Sequence, residues 1–222
     1  MSDLPFTMPP GPATTLASAL DREGKIDRAL EALGPLADRD VVAVGSGPAE
    51  RARWAAAGAR LTSVDKLSAT GPKGAKGGEG EQGAKAEKSA LAAGSADTIV
   101  TTWSAFRGVD PDELREADRV LRPDGRLLVV HDYGRDDVSR LRGELPEYGT
   151  WSRRNGPFLA NGFRVRVIHC FWTFDSLEEA GGFLTEAFGA EGTSFADGLK
   201  RPRLSWNVAV YHRTRGGLIA GT

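Results

Sequence analysis

Three residues in the first third of the chain have the types and spacing to hold a nucleotide: Gly45, Gly47 and Asp65. They lie in VVAVGSGPAERARWAAAGARLTSVD (41–65): a β-branched run, two glycines flanking Ser46, a helical stretch, and an apolar run closed by an acid. A glycine at a strand–helix turn lets the chain bend sharply, and a second lets a ligand approach the backbone. Asp65 follows Gly47 by 18 residues, a distance at which an acid accepts hydrogen bonds from ribose hydroxyls. The competing reading is an ordinary tight turn followed by a surface aspartate.

A second group is HDYGRDD (131–137), which follows an apolar run. The imidazole of His131, with an ordinary pKa of about 6.5, suits general-base work at neutral pH. Tyr133 and Arg135 could orient a polar or anionic group, or the whole stretch could simply stabilise its own loop. Trp103, at the end of ADTIVTTW (96–103), could stack on a base or be core. His169 and His212 sit inside apolar runs and read as structural histidines. No His, Cys and carboxylate spacing resembles a metal site, and no nucleophile elbow is present.

These residues are carried by alternating strand and helix patterns. DREGKIDRALEALGPL (21–36) places Ile26, Ala29, Leu30 and Leu33 on one helical stripe, ended by Gly34 and Pro35. A strand at 40–45, a helix at 48–57 and a strand at 60–64 follow. The pattern continues with a strand at 96–103, a helix at 110–121 opened by Asp110, a turn at 122–125 and a strand at 126–133. A short helix at 136–145, a loop-rich region at 146–162, a strand at 163–174, a helix at 176–188 and a strand at 204–213 complete it. Such alternation implies a mostly parallel sheet with helices on both faces. Ligands then sit beyond the carboxyl ends of the strands, which selects residues 45–50, 65–67, 103–107 and 131–136.

With 29 basic and 30 acidic residues, the chain lacks the basic footprint of a nucleic-acid binder. Cys170 is the only cysteine, so no internal disulfide forms and a reducing compartment is the simpler expectation. The first residues lack the pattern of a signal peptide, and no segment has the roughly 20 apolar residues of a membrane span. A cytoplasmic protein without nucleic-acid or membrane partners is expected. Residues 1–20 read as an irregular arm, 21–213 as one domain, and 214–222 as a loose tail.

EADRVLRPDGRLLVVHD (116–132), a helix, an Arg-Pro-Asp-Gly turn and an apolar strand, resembles a hallmark of class I S-adenosylmethionine-dependent methyltransferases. VAVGSGPAE resembles that family's first motif, in a degenerate form. GSADTIVTTWSAF (94–106) is similar to the segment leading into its fourth strand, and the strands at 163–174 and 204–213 are similar to its last two. The resemblance spans roughly residues 25–213. It implies an α/β, Rossmann-like sheet of seven strands in the order 3-2-1-4-5-7-6, with the last strand antiparallel. It also implies S-adenosylmethionine as cofactor, with Gly45, Ser46 and Gly47 at its amino-acid end and Asp65 on its ribose. Trp103 would lie at the cofactor, while His131, Tyr133 and Arg135 would serve a small-molecule acceptor. Three departures stand out. Ala43 replaces the family's usual acid, Ala49 its third glycine, and the region of Lys85 to Glu87 the end of its third strand. A non-catalytic binding or scaffold module on the same fold is the alternative, and a nicotinamide dehydrogenase a weaker third.

Residues 66–88 read as a solvated loop in place of a crossover helix, because GPKGAKGGEGEQGAK (71–85) has glycine at every third position. Each glycine costs a buried helix about 1 kcal/mol relative to alanine. Deleting 71–85 is therefore expected to leave the melting temperature nearly unchanged in a thermal scan. A large drop would mean that the segment packs.

Overall fold

The computed structural model describes residues 4–67, 91–103, 106–107, 109–143, 145 and 147–216. Helices α1 (Pro10–Ala19) and α2 (Lys25–Leu33) precede strand β1 (Asp40–Val44), helix α3 (Pro48–Ala56) and strand β2 (Arg60–Val64). Strand β3 (Ala96–Thr102), helix α4 (Pro111–Val120), strand β4 (Leu121–Asp132) and helix α5 (Asp137–Arg142) follow. Strand β5 (Arg164–Thr173), helix α6 (Leu177–Asp197) and strand β6 (Arg203–Thr214) close the chain.

The sheet is mixed, in the order β2-β1-β3-β4-β6-β5. The first four strands are parallel, and β6 runs antiparallel to both β4 and β5. This corrects the expected seven strands and their order to six among the described residues. The region where a third strand was expected, 68–90, lies outside them, as does most of the Gly/Lys-rich segment. Leu67, at the start of that segment, is buried against Val64 and Phe106 in a core cluster. After β1 the chain passes to one side of the sheet centre as β2, and later to the other side as β3. The carboxyl ends of β1 and β3 therefore flank a topological switch point.

The central strands are apolar on both faces, and alternation sorts their residues into two cores. Val41, Val100, Leu128 and Val130 pack with Leu16, Leu30, Trp54 and Trp206. On the other face, Val42, Ile99, Leu127 and Val129 pack with Ala117, Val120, Phe158 and Tyr211. Local chemistry starts the helices as expected. Pro48 opens α3, and the Asp110 carboxylate accepts from the amides of Asp112 (2.7 Å) and Glu113 (3.1 Å) at the head of α4. The Arg-Pro-Asp-Gly turn becomes an irregularity at the start of β4, with Asp124 at φ 65° and the register against β3 shifted. Only glycine fits at 125, since a Cβ there would lie 2.9 Å from the Arg122 carbonyl oxygen.

Three expected boundaries move. The arm at 1–20 is not irregular: α1 forms within it and buries Leu16 and Ala19. The last helix reaches Asp197 rather than 188, bending at Gly189 (φ 61°, ψ −135°). Strand β6 continues to Thr214, and residues 217–222 of the expected tail lie outside the description. Among the described residues, no helix is long and apolar enough to cross a membrane.

His131 lies on the β4 face that meets Phe158, and it is 1% exposed. Its ring meets Trp151 edge-on at 5.0 Å between centroids. Its Nε2 lies 3.1 Å from the Phe106 carbonyl oxygen, so that nitrogen carries the proton and donates. Burial lowers its pKa to about 4, and the nearby Arg107 charge acts in the same direction. The unfolded chain takes up a proton below about pH 6.5, while the folded chain resists until about pH 4. Stability from this site is thus complete above about pH 6.5 and is lost as pH falls through that window, by about 3 kcal/mol. Urea unfolding between about pH 7 and pH 4.5 should show this slope in the wild type and a flatter one in His131→Gln. Equal slopes would refute the assignment.

Candidate functional site

The turn between β1 and α3 begins with Gly45 in a left-handed conformation (φ 66°), its amide donating to the Val64 carbonyl at 3.0 Å. Since Val44 pairs with Val64, Asp65 stands beside Gly45 at the end of the neighbouring strand, with its side chain exposed. Ser46 is fully buried, and Gly47 caps α3. These four expected cofactor residues therefore converge at the switch point. Ala43 is buried in β1 among apolar neighbours.

The residue that organises the turn is Glu50, which lies within the 45–50 segment but is not among its candidate site residues. It is 5% exposed, and its carboxylate accepts from the Gly47 amide (3.2 Å), the Thr102 hydroxyl (3.0 Å) and the Trp103 indole N–H (2.9 Å). Thr102 Oγ1 also lies 3.2 Å from Ser46 Oγ. The bond to Gly47 is half of a capping box, since Glu50 stands three residues after the N-cap. That spacing was the signal available in the sequence. Its contacts across to β3 were not legible there.

Trp103 does not offer a free face at a cleft mouth. It is buried at φ 52°, with its ring 5.5 Å from that of Trp206 at an angle of 31°. One edge of it lines a cavity of about 290 Å³ together with Glu50, Trp54, Trp206, Asp21 and Asp27. The cavity opens between α3 and the link joining α1 to α2. Trp54 is fixed by donating its N–H to Asp27 (3.0 Å), which also pairs with Arg53 (2.9 Å). Trp206 donates to Asp132 (2.7 Å). Asp132 is buried and paired with Arg142, and burial raises its pKa against the pull of that guanidinium.

The expected catalytic trio is placed differently. His131 is not a rim residue. It is sealed in the core beneath Trp151, because β4 points it away from the cavity. Tyr133 is half-buried, its carbonyl accepting from Gly149 (3.1 Å). Arg135 is exposed in a left-handed conformation (φ 60°), with its guanidinium 6.0 Å from the Tyr133 ring. None of the three lines the cavity. His169 lies on the exposed side of β5, its Nδ1 2.7 Å from Asn207 Oδ1. His212 is half-buried, with its pKa lowered by burial and by three nearby arginines. Among the described residues, no group of three His, Cys, Asp or Glu side chains is placed to hold a metal ion.

Residues 42–129 match the family model described as a methyltransferase domain. No curated protein matches the chain. Among solved structures, a protein of Anaeromyxobacter dehalogenans described as a candidate type II methyltransferase is 20% identical, with a TM-score of 0.51. That match covers 85% of this chain and 94% of the other. A methyltransferase of Aquifex aeolicus described as SAM-dependent is 16% identical, with a TM-score of 0.45, covering 90% and 97% of the two chains. Residues 42–129 thus carry the sequence pattern of a methyltransferase domain, within a sheet of Rossmann-like fold.

Proposed function

We propose that this protein is an S-adenosylmethionine-dependent methyltransferase acting on a small-molecule acceptor. The observation that carries the reading is the pairing of the left-handed Gly45 turn with the exposed Asp65 carboxylate, side by side at the switch point. The residues present fit the cofactor. Asp65 offers an acceptor pair for two vicinal ribose hydroxyls, and the Gly45–Gly47 backbone leaves room for close approach. At the amino-acid end the Glu50 carboxylate gives a methionine ammonium group an opposite charge. Bound there, the cofactor would supply an electrophilic methyl group. The chain would contribute orientation and exclusion of water.

In this reading the acceptor lies in the cavity beside Glu50, so positioning falls to the residues that line it. Tyr133 and Arg135 stand at the end of β4, outside that lining, and His131 serves the core rather than proton transfer. A second reading, a non-catalytic binding module on the same fold, draws support from two features. The Gly47 amide is already engaged by Glu50, and apolar Ala43 stands where the family usually has an acid.

Calorimetry with S-adenosylmethionine and S-adenosylhomocysteine at millimolar concentration separates the two. Saturable binding is expected, and Asp65→Ala should weaken it by about ten-fold to over a hundred-fold, from the loss of charge-assisted hydrogen bonds. The fold should stay intact, because Asp65 lies at an exposed strand end. Saturable binding without transfer to any amine, thiol or hydroxyl acceptor tested would favour the module. No saturable signal with either ligand would end the methyltransferase reading.

A further inference from the structure

Arginines from two separate loops meet at a hollow beyond the end of β4. It has a volume of about 290 Å³ and is lined by Arg135, Ser139, Arg140, Tyr148, Gly149 and Arg153. It shares no residue with the cavity beside Glu50. All three arginines are exposed, and no carboxylate stands in the lining. The described acids on the flanking segments are already engaged. Asp132 pairs with Arg142, and Glu147 with Arg107. The Asp136 carboxylate turns inward to the amides of Ser139 and Asn207, each at 2.7 Å. Asp137 accepts from Ser205 and pairs with Arg140. Arg140 is thus half-neutralised, while Arg135 and Arg153 have no ion-pair partner among the described residues.

The backbone holds these side chains in place. Gly134 (φ 83°) and Arg135 (φ 60°) are consecutive left-handed residues, a conformation that disfavours arginine. Buried Asn207 pins both, its Nδ2 donating to the carbonyls of Gly134 (3.1 Å) and Arg135 (3.2 Å). Only glycine fits at 134, since a Cβ there would lie 2.8 Å from Tyr148 Cγ. Backbone strain of this kind persists where the surroundings over-determine it, and it clusters at ligand sites. The turn carrying Arg153 is also tight: the Arg153 amide donates to Thr150 (3.2 Å), and its carbonyl accepts from Gly156 (2.8 Å). We propose that this hollow binds the phosphate group of a small phosphorylated molecule. Two unpaired guanidiniums match the two negative charges of a phosphate monoester, and the free edge of Arg140 adds donors. A monocarboxylate would answer only one of those charges, and a cation would face three arginines. The Tyr148 hydroxyl is closed off from solvent and takes no part. The hollow leaves room beside the phosphate for a small organic portion. None of this rests on the transferase reading.

The first probe is inorganic phosphate at about pH 8, where it is a dianion, followed through the backbone amide shifts of isotope-labelled protein. Saturable shifts are expected at Arg135, Ser139, Gly149 and Arg153. Acetate and chloride at equal ionic strength should bind at least about ten-fold more weakly. Glycerol 3-phosphate should bind at least as tightly as phosphate, and its exclusion would overturn the assignment to a monoester. Arg153→Gln should weaken phosphate by about ten-fold, the loss of one charge-assisted contact. Arg135→Asn should do the same, since asparagine tolerates the left-handed backbone and keeps the fold. Should that variant not fold, as judged by its melting curve, Arg153→Gln decides alone. Arg154→Gln removes a neighbouring charge outside the lining and should change binding by less than about two-fold. An equal loss there would show only a diffuse positive field and would overturn the site. So would the absence of saturation at millimolar phosphate, an equal response to acetate, or undiminished binding in folded Arg153→Gln. If S-adenosylhomocysteine does not bind, the transferase reading fails while the phosphate titration still decides this one.

Discussion

A carboxylate buried at the head of α3 is the constraint on which this site depends. A buried charge is costly unless it is paired or hydrogen-bonded. Glu50 meets that demand by collecting one donor from its own helix turn and two from the end of β3. The helix N-terminus adds a favourable field for negative charge. Satisfying one side chain thus holds together the ends of β1 and β3, the two strands between which the chain order reverses. Any rearrangement of the turn would strand either the carboxylate or its donors. The floor of the cleft is therefore stiff, though it is built largely of loop.

Asp132 does the same at the end of β4. It receives the Trp206 indole N–H from β6 and the guanidinium of Arg142 from α5. Arg142 in turn lies over the Phe6 ring, 3.9 Å from its centroid, which fastens the segment before α1 to the domain. Such pairs give little net stability when replaced whole by apolar groups, but breaking one is costly. Their effect here is positional: they fix which residues of α5, β6 and the N-terminal segment meet above the sheet.

The legible parts of this chain were those set by local rules. The strand–helix alternation, the Gly45 turn, the Asp110 cap and the antiparallel β6 follow from periodicity, capping and family resemblance, and they reappear near their expected places. What failed was set by distant contacts. Helix α1 grows from a stretch rich in proline and threonine that has little intrinsic helical preference. Tertiary packing of its buried face overrides that preference. His131 carries the marks of a catalytic base in sequence, yet the parity of β4 turns it toward Trp151 and Phe158. The three tryptophans of the cavity lie far apart along the chain, at 54, 103 and 206, so no motif could have grouped them.

That grouping bears on why a cavity persists there. An apolar void is destabilising, and side chains around it tend to relax inward because packed interiors leave few gaps. Here inward movement of any of the three indoles would break its hydrogen bond to a carboxylate. Two of those carboxylates, Glu50 and Asp132, are themselves buried. Collapse would exchange a void for unsatisfied buried charge, which is the worse of the two. Directional bonds thus hold open a space that dispersion alone would close. The carboxylates that brace its walls also set its shape.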